Sequence, residues 1–331
     1  MAKLLGLGVI VVSLLAGWAW MEYDEFLTTP LNIQQGSVIY EVPRGASLAT
    51  VARDLEQAGM IGHANYLQWY GRYTGQASRI RAGEYRLSDD LIPDTLLALL
   101  VSGQSVSYSL TLLEGWTFRQ VRAALAAHPA LQQTLQELDD DAVMARLELP
   151  GQHPEGRFFP DTYQFPRGLT DLEFLRRALH MMDDELAAAW SGRDPDLPLS
   201  SPYEALILAS IVEKETGQAD ERSEIAGVFT RRLRKGMKLQ TDPTVIYGIG
   251  EDFDGNIRRK DLQDDTPYNT YLHTGLPPTP ICMPGREALR AAVHPAAGKT
   301  LYFVARGDGS HAFSATLEEH NAAVRKYQLK R

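Results

Sequence analysis

An unbroken apolar run that ends on a carboxylate stands out in the pattern of hydrophobic and polar positions. It covers residues 206–212, and Glu213 follows directly. The residues just before it are typical of a helix start: Ser201 offers a hydroxyl cap, Pro202 suits the first turn, and Glu204 is a carboxylate at the third helical position. The pattern therefore predicts a helix that begins near residue 202, is buried over its apolar run and places Glu213 at the end of that run.

Different faces of this predicted helix carry different side chains. Residues three, four and seven apart share a helix face, and one such stripe contains Leu206, Ala209, Ser210 and Glu213. Glu215 is expected to face elsewhere. A carboxyl at the edge of an apolar core keeps its proton near neutral pH, as a general acid must. The competing interpretation is that Glu213 is only the first solvent-facing residue, or half of an ion pair.

The pattern between residues 37 and 107 predicts a small, separate set of elements. Alternating or periodic apolar positions indicate a strand, two helices, a strand and a further helix, over 38–42, 47–59, 64–73, 81–87 and 93–101. This β-α-α-β order resembles a LysM-like module, a fold associated with N-acetylglucosamine polymers. Small units of this order also serve as plain spacers, so sugar binding stays open here.

The second half of the chain predicts a mixed α+β domain. We expect a strand over 108–113, a helix over 118–127 and mostly helical structure over 128–200. Residues 155–163 interrupt that stretch with a loop dense in aromatic and turn residues. Such a loop fits either ordinary turn chemistry or a wall that stacks on sugar rings.

Polar loops follow in the last third. A helix is predicted over 220–235, a strand over 301–305 and a final helix capped by 313–321. Between them, the Asp242–Pro243 pair predicts an extended or turn conformation, because Pro disfavours helical geometry at the preceding residue. Residues rich in Tyr, Asn and Pro indicate further loops over 266–271 and 275–281.

One N-terminal segment fits a membrane. Leu4–Met21 is eighteen residues without a charge, near the lower limit for a transmembrane helix. Trp18 and Trp20 suit an interfacial belt better than a signal-peptide cleavage site. Lys3 precedes the segment, and three acidic residues follow it: Glu22, Asp24 and Glu25. We expect an uncleaved single-pass anchor with a cytoplasmic N-terminus; a cleaved signal peptide is the alternative.

Composition removes several classes of function. The 331-residue chain has a net charge of −9 and no Lys/Arg-rich run, which argues against a nucleic-acid partner. A single cysteine, Cys282, excludes an internal disulfide and makes a thiolate metal cluster implausible. Eight histidines include no His-Glu-x-x-His, so no metal and no cofactor is expected.

Five segments together resemble the YceG-like family, over essentially the whole chain. They are residues 210–216 (SIVEKET), 239–248 (LQTDPTVIYG), 267–271 (PYNTY), 275–281 (GLPPTPI) and 313–321 (FSATLEEHN). The resemblance implies residues 1–22 as cytoplasmic stub and anchor, 23–36 as linker, 37–107 as LysM-like module and 108–331 as catalytic domain. It also implies that the first Glu of the Glu-Lys-Glu triplet, Glu213, is the catalytic acid and base.

The resemblance further implies an activity. It is endolytic lytic transglycosylation of bacterial peptidoglycan at the inner membrane, with the catalytic domain in the periplasm. One Glu would cleave the β-1,4 bond between N-acetylmuramic acid and N-acetylglucosamine, leaving a 1,6-anhydro end. Such cleavage would limit the length of nascent strands, and wall synthases are the protein partners that the resemblance suggests.

A shell of polar and aromatic residues is expected to bind the glycan and steady an oxocarbenium-like state. Its candidates are Ser210, Gln240, Thr241, Asp242, Tyr247, Tyr268, Asn269 and Tyr271. Each fits an ordinary structural loop role equally well. Glu215 and Glu221 are rival acids, and Glu215 is disfavoured because it faces away from Glu213. A hydrolytic muramidase and a non-catalytic, peptidoglycan-binding membrane adaptor are the alternative functions.

Overall fold

The structure, a computed structural model, describes residues 2–34 and 36–329. Two compact units are present, one of Met1–Tyr108 with Gln164–Gly168 and one of Ser109–Tyr163 with Leu169–Arg331. The described residues mix α-helices with short two-stranded sheets, which confirms the predicted α+β class.

The first unit contains the predicted strand–helix–helix–strand order. Its elements are α1 (Ala2–Thr28), β1 (Ser37–Val42), α2 (Leu48–Gln57), α3 (Ala64–Tyr73), β2 (Gly83–Ser88) and α4 (Pro93–Ser102). Strands β1 and β2 pair antiparallel, with Tyr40 opposite Tyr85. The likeness of this unit to a LysM module stays a prediction.

Local sequence explains why the first unit folds this way. The Ser47 hydroxyl caps α2 by accepting a hydrogen bond from the Thr50 N–H at 3.2 Å. The apolar side of α2, including Val51 and Leu55, is fully buried in the core of this unit. That core is therefore formed mainly from one face of each helix and of the two-stranded β1–β2 sheet.

Helix α1 contains the candidate membrane segment. Gly6–Thr28 is 23 residues long and apolar enough to cross a bilayer by length and composition. At 1.5 Å per residue it is about 35 Å long, compared with about 30 Å for the hydrocarbon core. A signal sequence, the alternative named above, has the same properties.

The second unit contains the remaining elements. In chain order, with β3 and β5 each crossing the division between the units, they are β3 (Ser107–Thr111), α5 (Phe118–Ala127), β4 (Leu131–Gln132), α6 (Asp140–Arg146), β5 (Thr162–Pro166), β6 (Leu169–Thr170), α7 (Asp171–Ser191), α8 (Pro202–Glu215), α9 (Arg222–Arg234), α10 (Asp242–Ile249), α11 (Arg286–Val293), β7 (Tyr302–Ala305), β8 (His311–Ser314) and α12 (Leu317–Tyr327).

Helix α8 lies at the centre of the second unit, as its sequence predicts. Ser201 is its cap and accepts a hydrogen bond from the Glu204 N–H at 3.2 Å. Every residue from Ala205 to Val212 is buried, and helices α7, α9 and α11 pack around it. Burial of this middle stretch confines the charged side chains of α8 to its two ends, with Glu204 in the first turn and Glu213, Lys214 and Glu215 in the last.

Two sequence predictions are wrong in this unit. Asp242–Pro243 does not form a turn but begins α10, because a Pro in the first helical turn lacks an N–H that would have no intrahelical partner anyway. Residues 128–200 are less helical than expected and include the parallel pair β4–β6. Each of these strands is two residues long, too short to leave a period in the sequence.

Candidate active site

The last residue of α8, Glu215, lies on the wall of a cavity of about 530 Å³. Three of the predicted binding residues lie on the same wall: Gln240 from the loop before α10, Asp242 from the first turn of α10, and Tyr271 from the loop after residue 269. Strands β7 and β8 and helix α12 supply further residues of its lining. The cavity is thus assembled from segments that are far apart along the chain.

The carboxyl of Glu215 is held at one oxygen only. The Thr241 hydroxyl donates a hydrogen bond to Glu215 Oε1, and none of the described residues bonds Oε2. Burial raises the pKa of Glu215 to about 7, and the charge of Asp242 adds to the rise. The Thr241 hydrogen bond, His311 and Arg232 act in the other direction without cancelling it. Glu215 can therefore both release and accept a proton near neutrality.

The loop that faces Glu215 is fixed by its own hydrogen bonds. Thr241 is buried, and its N–H donates to the Thr270 hydroxyl at 3.1 Å. Gln240 has φ +52°, a left-handed backbone conformation that residues other than glycine adopt only at an energetic cost. The Tyr271 hydroxyl donates to Asp242 Oδ1 at 2.6 Å. These bonds orient the Asp242 carboxylate and the Tyr271 ring at the cavity wall.

A second cavity, of about 880 Å³, lies elsewhere in this unit and contains two other predicted residues, Tyr247 and Tyr268. Their rings meet edge to face at 4.8 Å. Glu155, which is only 3% exposed, also lies on this wall and accepts hydrogen bonds from the Phe118 N–H at 2.9 Å and the Tyr247 hydroxyl at 3.0 Å. Burial raises the pKa of Glu155 to about 7.

Glu213, the residue favoured by the sequence, occupies a third environment. Its side chain is 7% exposed, Oε2 accepts the Gly285 N–H at 3.0 Å, and Oε1 lies 3.7 Å from the Arg222 guanidinium. Burial raises the pKa of Glu213, and the charge of Glu114 adds to the rise. Among the described residues, those that form the walls of the two cavities do not include Glu213.

The remaining predicted residues hold the backbone in place. Ser210 is fully buried and its hydroxyl accepts the Ile281 N–H at 3.0 Å. Asn269 is 1% exposed, and its amide donates to the Asp264 carbonyl at 2.7 Å. Glu221, a rival acid, is hydrogen-bonded to His311. The predicted shell is therefore divided among two cavities and the loops that support them.

Sequence reasoning missed three residues of these cavities: Glu155, His311 and His320. Glu155 lies in the aromatic loop over residues 155–163. A carboxylate so close to several ring residues in the sequence was a usable signal of its burial. The histidines come from β8 and α12, and their place in the same cavity as Gln240 has no local signature in the sequence. Within residues 2–34 and 36–329, no group of three His, Cys, Asp or Glu side chains has the arrangement of a metal site.

These features define the class of site. A buried acid with a pKa near neutral and one unbonded oxygen, facing a cavity with carboxylate, amide and phenol groups, can exchange a proton with a polar molecule bound there. The chain belongs to the YceG-like family, whose sequence model matches residues 40–326.

Similarity to named relatives extends over nearly the whole chain. An endolytic murein transglycosylase of Bacillus subtilis (strain 168) is 34% identical over 332 residues, which are 95% of this chain and 91% of the relative. The protein of that name from Streptococcus pneumoniae serotype 2 (strain D39) is 27% identical; the match spans 96% of this chain but 64% of the longer relative. A crystal structure of a putative YceG-like protein from Listeria monocytogenes, 32% identical, matches 87% of this chain and 99% of its own with a TM-score of 0.56.

Proposed function

We propose that this chain is a lytic transglycosylase that cleaves peptidoglycan glycan strands internally, and that Glu215 is its acid and base. One observation carries the choice of residue. The Glu215 carboxyl has a pKa of about 7 and an unbonded oxygen at a cavity that also contains Gln240, Asp242 and Tyr271. The names of the relatives support the reaction class.

Geometry favours Glu215 over Glu213. A general acid needs an oxygen within hydrogen-bond reach of the substrate. At Glu213 one oxygen accepts a backbone N–H and the other faces Arg222, so both are engaged by the protein. Glu213 thereby ties the end of α8 to the start of α11 and α9, and it is the second candidate for the catalytic acid.

The first half of the reaction needs a proton donor. Protonated Glu215 gives its proton to the oxygen that links C1 of N-acetylmuramic acid to N-acetylglucosamine, and the C1–O bond breaks. Positive charge then develops at C1 and the ring oxygen. The Asp242 carboxylate, held by the Tyr271 hydroxyl, stabilises that charge electrostatically from a fixed position.

The second half uses the same group as a base. Glu215, now a carboxylate, removes the proton from the C6 hydroxyl of the muramic residue, and O6 bonds to C1 to close a 1,6-anhydro ring. Glu215 ends protonated, ready for another cycle. No water enters the reaction, so the second carboxylate that a hydrolase uses to activate water or form a covalent intermediate is not required.

The N-terminal helix sets where this reaction would occur. An anchor over Gly6–Thr28, with a cytoplasmic N-terminus, would tether the catalytic unit on the outer side of the inner membrane. Glycan emerges there from wall synthases, which would be partners. Internal cleavage at that point would limit the length of nascent strands.

The test is the chemistry of the product ends. Purified full-length chain in detergent is incubated with uncrosslinked glycan strands, and the ends are analysed by mass spectrometry. We expect internal cleavage with 1,6-anhydro ends. Reducing ends would indicate a hydrolytic muramidase instead, and binding without cleavage would indicate an adaptor.

Matched variants test the residue. Glu215→Gln keeps the side-chain shape but cannot donate and retrieve a proton, so cleavage is expected to fall about 10³-fold. Glu213→Gln is the control two residues away and is expected to keep most of the activity. The reverse result, an inactive Glu213→Gln and an active Glu215→Gln, would assign the acid to Glu213.

A further inference from the structure

A histidine–glutamate pair lies beside Glu215 and has no part in the mechanism above. Glu221 accepts two hydrogen bonds from His311, one from the backbone N–H at 2.9 Å and one from ring Nδ1 at 2.6 Å. Both side chains are mostly buried, at 12% and 17% exposure. The bonds fix the position and the rotation of the imidazole together.

The ring belongs to the catalytic cavity. His311 and Glu215 line the same cavity, although 96 positions separate them in the sequence. With Nδ1 donating to a carboxylate, a neutral imidazole keeps Nε2 as a hydrogen-bond acceptor. In the described part of the chain, no side chain or backbone group bonds that nitrogen.

The neighbouring wall has the chemistry of sugar recognition. The rings of Tyr302 and His320 stack at 5.2 Å, and the Arg232 guanidinium lies 5.1 Å from the centre of the Tyr302 ring. His320 Nδ1 is buried without a hydrogen-bond partner among the described residues. Buried polar atoms are nearly always bonded, so an unsatisfied one on a cavity wall points to a bound group. Asn321 adds an amide to the same wall.

Another histidine–carboxylate pair shows what is particular about this one. His273 Nε2 lies 2.6 Å from Asp265 Oδ1, but both side chains are exposed, at 51% and 79%. Neither residue lies on the wall of the Glu215 cavity. An exposed pair of this kind contributes little beyond local structure. It supplies a matched control for the buried pair.

We propose that His311 contacts the glycan in the cavity that contains Glu215, with Nε2 accepting a hydrogen bond from a sugar hydroxyl or amide N–H. Glu221 is its positioning residue and acts only through the imidazole. This inference rests on the proposed function and adds the C-terminal β7–β8–α12 segment to the substrate-binding surface. It assigns Glu221 a role other than that of a rival acid.

Two substitutions separate substrate contact from a structural role. In His311→Asn the amide occupies the place of Nδ1 and keeps the bond to Glu221, but nothing replaces Nε2. In His311→Gln the amide reaches the place of Nε2, and the bond to Glu221 is lost. We expect His311→Asn to lower kcat/KM at least tenfold, mainly through KM, with unchanged thermal unfolding. His311→Gln should retain more activity, and His273→Asn should match the unaltered chain.

A double-mutant cycle tests the role of Glu221. Glu221→Ala alone should lower kcat/KM, but it should add nothing in the His311→Asn background because its effect passes through the imidazole. Additive effects would overturn the positioning role. Wild-type kcat/KM for His311→Asn would overturn the substrate contact.

The same assay separates this inference from the proposed function. If the unaltered chain makes 1,6-anhydro ends and Glu215→Gln does not, while His311→Asn is fully active, only the His311 contact is refuted. If the unaltered chain makes no such ends, the proposed function itself fails.

Discussion

The Glu215 and Glu155 cavities offer a direct comparison within one unit. Both contain a carboxyl whose pKa burial raises to about 7. Glu155 has each oxygen bonded, to the Phe118 N–H and the Tyr247 hydroxyl, whereas Glu215 has a single bond from Thr241. The difference teaches that a raised pKa alone does not identify a catalytic acid. The oxygen that the protein leaves unbonded is what distinguishes Glu215 from Glu155.

The largest expected difference between the two cavities is in catalysis. Glu215→Gln should reduce the rate of glycan cleavage about 10³-fold, whereas Glu155→Gln should reduce it less than about tenfold. Steady-state cleavage of purified glycan strands measures both. Comparable losses in the two variants would mean that the fully bonded acid also takes part in the reaction.

The second expectation concerns pH-dependent stability and is common to both cavities. Each carboxyl has a pKa near 7 when folded and about 4.5 when unfolded, so the folded state binds more protons between these values and stability falls as pH rises from about 4.5 to 7. Replacing either Glu by Gln, which cannot ionise, removes this pH-dependent loss of stability. At pH 8 each Gln variant should be more stable by roughly 2–3 kcal/mol, and at pH 4 the gain should vanish.

Denaturant unfolding at the two pH values measures this gain. Glu185, whose carboxyl is paired with Arg286 and has a lowered pKa, is the control. Glu185→Gln should bring no gain at pH 8. A gain at pH 8 that persists at pH 4 would show that the stabilisation does not come from ionisation.

A smaller effect is expected from the single hydrogen bond that Glu215 accepts. Thr241→Val removes a donor that favours the carboxylate, so the pKa of Glu215 should rise by about one unit. The alkaline limb of the pH–rate profile, where the acid loses its proton, should move up accordingly. Thr279→Val is the control: it removes the hydroxyl that is hydrogen-bonded to the hydroxyl of Tyr268, a residue of the Glu155 cavity. It should leave the alkaline limb of the pH–rate profile unshifted. An unshifted limb in Thr241→Val would contradict the assignment.

The smallest effect is expected at the fully bonded acid. Tyr247→Phe removes the hydroxyl that donates to Glu155, at a cost of about 1 kcal/mol in stability. Cleavage should change less than about threefold, because the proposed acid, Glu215, lies in the other cavity. A large loss of cleavage with normal stability would instead place substrate in this cavity.

The sequence predicted the helix that carries the acids better than what surrounds them. The start and end of α8 and the separate faces of Glu213 and Glu215 follow from helical periodicity. The residues that pack against each face cannot be predicted from helical periodicity. The Gly285 N–H that bonds Glu213 is 72 positions away, and Thr241, which bonds Glu215, is 26 positions away.

Local patterns also failed where two tendencies compete. A Pro both disfavours helical geometry in the residue before it and suits the first turn of a helix, and at Asp242–Pro243 the second tendency prevails. This outcome matters for the site, because the start of α10 directs Asp242 into the Glu215 cavity. The contribution of β8 was missed because a four-residue strand has little period of its own.

The central claim is that burial keeps the Glu215 carboxyl protonated near neutral pH. Infrared spectra are recorded from pH 4 to pH 9 for the full-length chain and for Glu215→Gln. The difference between the two at each pH isolates the C=O band of the protonated Glu215 carboxyl, because the variant lacks only that group. We expect a band that persists to about pH 7 in the unaltered chain and in Glu213→Gln, and that is absent from Glu215→Gln. A difference band that disappears near pH 4.5 would contradict the account, because the group would then be an ordinary solvated carboxylate at the pH of the reaction.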